Sequence, residues 1–346
     1  MERKLAAIEV IKAIEPIPGA DSIEKATVLG WSCVIRKGDF KVGDVVIFIE
    51  PDSVLPDRPE FSFLKDKGFR VKTIKLRGQV SQGLVFPLSI LPKPYDQMTK
   101  CKDLSKLVGK DVTEILGIAK YEPNMPEQLR GKIKGKFPDF FSKTDETRLQ
   151  SLPELLEKHK GKKFYISEKI DGSSFSCYWR NFGDTGAFGV CSRNMELGET
   201  EDNAFWKTAK KYNLKEKLQK YGRNLAIQGE MTGPGIQGNK YARTELHLSV
   251  FNVYDIDLGR CVDYTEFRRV CKDLELETVP IVDDDFTLAH TVDQLVEMSK
   301  ANSVVNLKIP REGIIFRPLV GEYSEELRGK LSFKVISPLF LLKYGE

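Results

Sequence analysis

The stretch that most constrains this chain is Phe164-Tyr165-Ile166-Ser167-Glu168-Lys169-Ile170-Asp171-Gly172-Ser173-Ser174-Phe175. The apolar and β-branched residues before the lysine fit a half-buried strand, and a second strand begins at Ser173. Asp-Gly between two such runs is a hairpin signal. The reading puts Lys169 at a strand end, beside a tight turn, with a carboxylate two residues on. Lys-x-Asp-Gly alone is a short pattern, and a surface hairpin with a solvated lysine spells it equally well. What the lysine does depends on the rest of the chain.

At 346 residues the chain is long enough for two domains. Lys and Arg number 54 against 50 Asp and Glu, so any nucleic-acid surface must be local rather than global. No apolar run is long enough to span a bilayer, and Met1-Glu2-Arg3-Lys4-Leu5 does not open a signal peptide, so no membrane partner and an intracellular location are expected. The six cysteines, Cys33, Cys101, Cys177, Cys191, Cys261 and Cys271, form no C-x-x-C pair and read as reduced core residues. Three scattered histidines, His159, His247 and His290, argue against a zinc site.

Residues 1–95 read as short strands between turns, which predicts an OB-like β-barrel. The expected strands include Leu5–Ile14, Ala26–Leu29, Ser32–Arg36, Val45–Ile49, Arg70–Leu76 and Gly83–Phe86. Arg36, Lys72, Lys75 and Arg77 are candidates for a phosphate-binding face, with Arg70 and Lys72 on one side of a strand by the period of two. Taken singly, each lysine is as well explained by a solvated strand face. Residues 96–136 read as a connector punctuated by Pro123 and Pro126, with Leu104–Leu116 helical. Residues 137–346 read as a second, α+β domain. There Ser151–Lys160 is expected as a helix with Ser151 as N-cap and Glu154 completing a capping box.

An ordered series of elements follows the lysine. Ser192-Arg193-Asn194 comes after a short strand, and Glu230 ends Ile227-Gln228-Gly229-Glu230. Phe251-Asn252-Val253-Tyr254-Asp255 joins aromatics to an acid. Glu312 precedes the apolar strand Gly313–Arg317, and Lys330 and Lys334 lie near the chain end. Glu230 and Glu312 each stand beside glycine at a strand end, where a ligand can approach.

This order resembles the covalent nucleotidyltransferase superfamily of polynucleotide ligases and capping enzymes, an ATP-grasp-like ligase domain. Glu168-Lys169-Ile170-Asp171-Gly172 is most similar to the RNA ligase 2 branch. Lys143–Arg148, Gly233–Asn239 and the barrel in front resemble the Naegleria-type RNA ligases. The resemblance implies ATP-dependent sealing of RNA 3′-hydroxyl and 5′-phosphate ends, at nicks in duplexes, with Lys169 forming lysyl-AMP. It implies Mg²⁺ or Mn²⁺ near Asp171, Glu230 and Glu312. It implies nucleotide contacts from Glu168, Gly172, Arg193, Arg317, Lys334, Lys330 and Arg148, adenine stacking by Phe251 or Tyr254, and an RNA-directed role for Ser174. Chemistry asks for the same residue types: a protonated lysine cannot attack, and a metal or other cations beside it favour the neutral amine.

Two departures stand out. Ser332 occupies a position where that branch has lysine, leaving Lys334 and a shifted Lys330, and Arg317 stands where lysine also occurs. DNA ligases and capping enzymes share the core motifs but carry a barrel after the last lysine motif, where only residues 335–346 follow here, so RNA sealing is the expectation. A non-catalytic RNA-binding protein on the same scaffold would be expected to have lost some of Lys169, Asp171, Glu230, Glu312 and Lys334. A monomer is expected.

Overall fold

The computed structural model describes residues 3–100, 103–122, 132–183 and 185–345. Pro123, Pro126 and Cys101 lie outside them. The chain forms two compact units. One comprises residues 1–123, 148–155 and 338–346, the other residues 124–147 and 156–337.

The first unit is built on a curled antiparallel sheet ordered Trp31–Arg36, Ile23–Val28, Ala6–Pro16, Val45–Ile49, Leu84–Pro87. Alternation places Ala6 and Ile8, and Ile47 and Ile49, inside. The curl brings the two edges together: Gln82 N donates to Ser32 O at 2.8 Å, and Val34 N donates to Ser81 Oγ at 2.9 Å. Closure removes the exposed edge that a flat sheet would leave. The stretch expected as strand Arg70–Leu76 behaves otherwise. Only Ile74–Leu76 is strand, in a small hairpin with Gln79–Ser81. Arg70 is instead drawn to Asp52 at 3.3 Å, with its guanidinium 3.5 Å from the centre of the Tyr121 ring. Arg70 and Lys72 therefore share no strand face.

Two expected helices are also cut short. Leu104–Leu107 makes one 3₁₀ turn, after which the chain returns to the barrel: Gly109 N donates to Ile8 O and Val112 N to Ala6 O. Backbone pairing with the sheet outweighs helical propensity there. At Ser151 the hydroxyl that was to cap a helix donates to Glu50 instead, and only Leu155–Lys158 is helical.

The second unit is built on two large antiparallel sheets, beside a small two-stranded one of Tyr323–Ser324 and Gly329–Lys330. The larger contains Met195–Gly198, Thr185–Cys191, Ser173–Phe182, Leu225–Thr232 and His247–Asp255 in that order. One face carries Phe175, Cys177, Trp179, Ile227 and Met231, buried against the helices Ala204–Lys211, Leu214–Tyr221 and Tyr264–Asp273. The period of two sends Ser174, Ser176, Gln228 and Glu230 to the opposite face. The second large sheet contains Phe333–Ile336, Gly313–Pro318, Lys163–Lys169 and Ile281–Thr287.

Lys163–Lys169 and Ser173–Phe182 thus belong to different sheets, and the expected Asp-Gly hairpin does not form. Ile170-Asp171-Gly172 is the joint between the two sheets. Gly172 is needed for proximity, not for a turn: a Cβ there would lie 2.3 Å from Met231 O.

Candidate active site

Strand register assembles the site. Lys169 pairs with Gly313, which sets the preceding Glu312 beside it. Gly313 has to be glycine for the same reason as Gly172: a Cβ would meet Val335 O at 2.3 Å. On the other sheet Ser174 pairs with Glu230, so Glu230 lies next to the joint. Gly172 N donates to Glu230 Oε1 at 3.1 Å.

The partly buried Lys169 ammonium donates to Glu312 at 2.7 Å. Burial alone would lower its pKa. The charges of Glu312, Glu230 and Asp171 outweigh that and raise it above the ordinary lysine value. Glu230 is desolvated, and its pKa is raised to about 8, with the negative charges of Glu312 and Asp171 adding to the burial and Lys169 opposing. Asp171 accepts from Lys240 Nζ at 2.5 Å, and its backbone N–H donates to Tyr241 Oη at 2.9 Å. Two ammonium groups therefore face three carboxylates. Glu168 is buried at the same strand end, where Oε2 accepts from Val304 N at 2.8 Å. Its pKa is raised by desolvation.

A second cluster forms on the buried carboxylate of Glu146. Arg317 donates to Glu146 Oε1 at 3.0 Å, and Lys330 Nζ lies 2.9 Å from the same oxygen. Burial would raise the Glu146 pKa, but the two cations hold it below the usual range. Lys334 pairs in register with Ile315 on the neighbouring strand.

The two candidate stacking rings separate clearly. Gly229 pairs with Val250 and Gln228 with Asn252, so Phe251 is the extra residue of a bulge. Phe251 packs against the cluster of Ile170, Tyr241, Val279 and Ile309, and its ring lies 5.5 Å from the Arg317 guanidinium. Tyr254 joins Phe141, Tyr178 and Phe140 in an aromatic cluster, with its ring 6.4 Å from that of Phe141.

The structure thus draws Lys169, Glu168, Asp171, Gly172, Glu230 and Glu312 together, and joins Arg317 and Lys330 through Glu146, with the Phe251 ring beside the Arg317 guanidinium. Ser174 Oγ lies 3.0 Å from Thr144 Oγ1, and Arg193 is ion-paired with Asp145. Arg148 belongs to the barrel-bearing unit, where it is buried and contacts Asp52 at 2.6 Å. On the barrel, Arg36, Lys75 and Arg77 are exposed and Lys72 is half-buried.

A family model for RNA ligase matches residues 162–336, and one for an OB-fold domain matches residues 5–88. The solved Naegleria gruberi RNA ligase with pyrophosphate is 40% identical, covers 98% of each chain, and superposes with a TM-score of 0.86. The chain belongs to the RNA ligase family. A variant of the Naegleria gruberi RNA ligase with ATP and Mn matches at 40% identity and a TM-score of 0.87, covering 99% of this chain and 100% of that one. Another variant, with AMP and Mn, matches at 40% identity and a TM-score of 0.86, covering 98% of each. No curated protein matches this chain significantly. Among its described residues no helix is long and apolar enough to cross a membrane.

Three residues of this candidate site escape a reading by spacing: Glu146, Lys240 and Tyr241. Glu146 sits in a polar run with nothing to mark it as buried. Lys240 and Tyr241 follow the Gly233–Asn239 loop, whose glycines were the available signal.

Proposed function

We propose that this RNA ligase uses ATP to join a 3′-hydroxyl to a 5′-phosphate at nicks in duplex RNA, through a lysyl-AMP intermediate. The observation that carries the reading is the seat of Lys169, at a strand end, with Glu312 at 2.7 Å and two more carboxylates in electrostatic range. The relatives solved with ATP, AMP and pyrophosphate support ATP as the nucleotide.

In the first step Lys169 Nζ attacks the α-phosphorus of ATP. A P–N bond forms, the bond to the bridging oxygen breaks, and pyrophosphate leaves. The attacking amine has to be neutral, and Glu312 is the oxygen base within hydrogen-bond reach of its proton. In the second step an oxygen of the RNA 5′-phosphate attacks the same phosphorus, and Lys169 departs and regains its proton. In the third, the 3′-hydroxyl attacks the RNA phosphorus, and AMP leaves as the phosphodiester forms. Phe251 stacks on adenine, and Glu168 and Gly172 line the nucleotide's seat. Lys334, Lys330, Arg317 and Arg193 offset phosphate charge. Ser174 acts after adenylylation, on the RNA end.

Mg²⁺ or Mn²⁺, when bound, supplies the positive charge that favours the neutral amine and offsets the phosphates. The donor set fits such an ion: Glu230 is a desolvated carboxylate pushed up to about 8, which a cation would relieve. Among the described residues no three acidic, histidine or cysteine side chains are grouped to hold a metal unaided. Asp171, Glu230 and Glu312 would therefore hold it partly through waters and phosphates, the usual manner of Mg²⁺.

The test is sealing of nicked duplexes whose 3′-hydroxyl strand is RNA or DNA. The proposal predicts joining of the RNA strand. Joining only of the DNA strand favours a DNA ligase, and nucleotide transfer to protein without joining favours a capping-type enzyme.

A further inference from the structure

The small hairpin on the barrel has a role in none of the chemistry above. Ile74 lies opposite Ser81 and Leu76 opposite Gln79. Arg77-Gly78 joins the strands with φ of +46° and +85°. Two positive φ values mark a type I′ turn, whose first position favours Asn, Asp or Gly because a Cβ is crowded there. An arginine at that position places a guanidinium at the tip at the expense of local strain. The base is firm, since Ser81 Oγ accepts from Val34 N and Gln82 N donates to Ser32 O. The five residues from Ile74 to Gly78 are exposed.

The surrounding sequence is one-sided in charge. No Asp or Glu lies between Asp66 and Asp96, whereas Lys67, Arg70, Lys72, Lys75, Arg77 and Lys93 do. In a chain with 54 basic and 50 acidic residues this is a local excess. Arg70 is already committed to Asp52. Lys75 and Arg77 have no ion-pair partner among the described residues.

From these observations we infer that the Ile74–Ser81 hairpin grips the sugar–phosphate backbone of the RNA substrate, with Lys75 and Arg77 each meeting a phosphate. The inference rests on the ligase reading for the identity of the partner. A narrow two-stranded ribbon suits the wide, shallow minor groove of an A-form duplex, where riboses are displayed. Exposed Ile74 and Leu76 supply an apolar contact for those sugars. A guanidinium at the tip and an ammonium two residues back supply the charge.

The experiment is equilibrium binding of a nicked RNA duplex to the full chain, to Arg77→Gly, and to Lys75→Ala/Arg77→Gly, across a salt series. Binding needs no ATP, so failure of the lysyl-AMP chemistry would show separately, as absence of covalent label from ATP. Arg77→Gly relieves the turn, and its thermal midpoint is expected to equal or exceed that of the parent, which guards against misfolding. The double variant is expected to bind on the order of ten-fold more weakly, with the slope of log K against log salt shallower by about 2. Unchanged affinity and slope would overturn the inference. So would unchanged RNA binding accompanied by lost binding to poly-L-glutamate, which would assign the hairpin to an acidic protein.

Discussion

At Lys169 the surroundings hold a proton that the proposed attack on ATP has to remove. The carboxylate of Glu312, seconded by Glu230 and Asp171, outweighs the burial of the amine. The resting site is therefore set for cation entry rather than for immediate attack, which is the physical case for a metal-dependent first step. Glu230 bears the cost. Its folded pKa of about 8 stands above the ordinary carboxylate value, so its contribution to stability is complete below about pH 4.5 and is lost as pH rises to about 8. Glu230→Gln is expected to abolish adenylylation while raising the thermal midpoint of the metal-free protein, with the gain larger at pH 8.5 than at pH 5.5; calorimetry at the two pH values checks it. A second expectation separates the two rings. Phe251→Ala should cost about 1–3 kcal/mol in ATP affinity, the range for a base stacked on an aromatic. Tyr254→Leu should leave ATP affinity within about a factor of two, as measured by nucleotide titration. Lys169, Glu230 and Glu312 were legible because each sits at the end of an apolar run beside glycine or a turn. The different surroundings of Phe251 and Tyr254 were not, because they depend on a bulge set by cross-strand register.

Among the elements, the joint Ile170-Asp171-Gly172 was misread in an instructive way. Asp-Gly is a turn signal from local chemistry, but here the glycine answers to the approach of Met231 O from another strand. Gly172→Ala is expected to destabilise the protein by about 1–3 kcal/mol, the cost of overpacking, and to misplace Lys169; urea denaturation with a labelling assay measures both. The expected helix at Ser151–Lys160 is cut to Leu155–Lys158, because the Ser151 hydroxyl found Glu50, a partner 101 residues away in sequence that no capping rule contains. Glu146 tells the same story from the other side. It looked like one charge in a polar run, yet it ties Arg317 to Lys330. Glu146→Ala leaves the buried Arg317 without its carboxylate and should cost about 3–5 kcal/mol, read from the shift of the denaturation midpoint.

For the molecule as a whole, the two-part plan was legible because a run of short strands between turns and a later mixture of strands and helices differ in texture. The extent of each compact unit was not, because residues 148–155 and 338–346 return to the barrel-bearing unit. Such returns depend on side chains like Arg148 and Ser151 meeting Asp52 and Glu50, and neither pairing has a sequence period. Family membership is independent of those details, since 40% identity extends over 98% of the chain. The proposed chemistry is covalent, with Lys169 taking AMP from ATP. The direct measurement incubates the full chain and Lys169→Ala with α-labelled ATP and Mg²⁺ and follows label on the denatured protein. Label on the parent and none on Lys169→Ala is the predicted result. An unlabelled parent, or equal label on both, would contradict it.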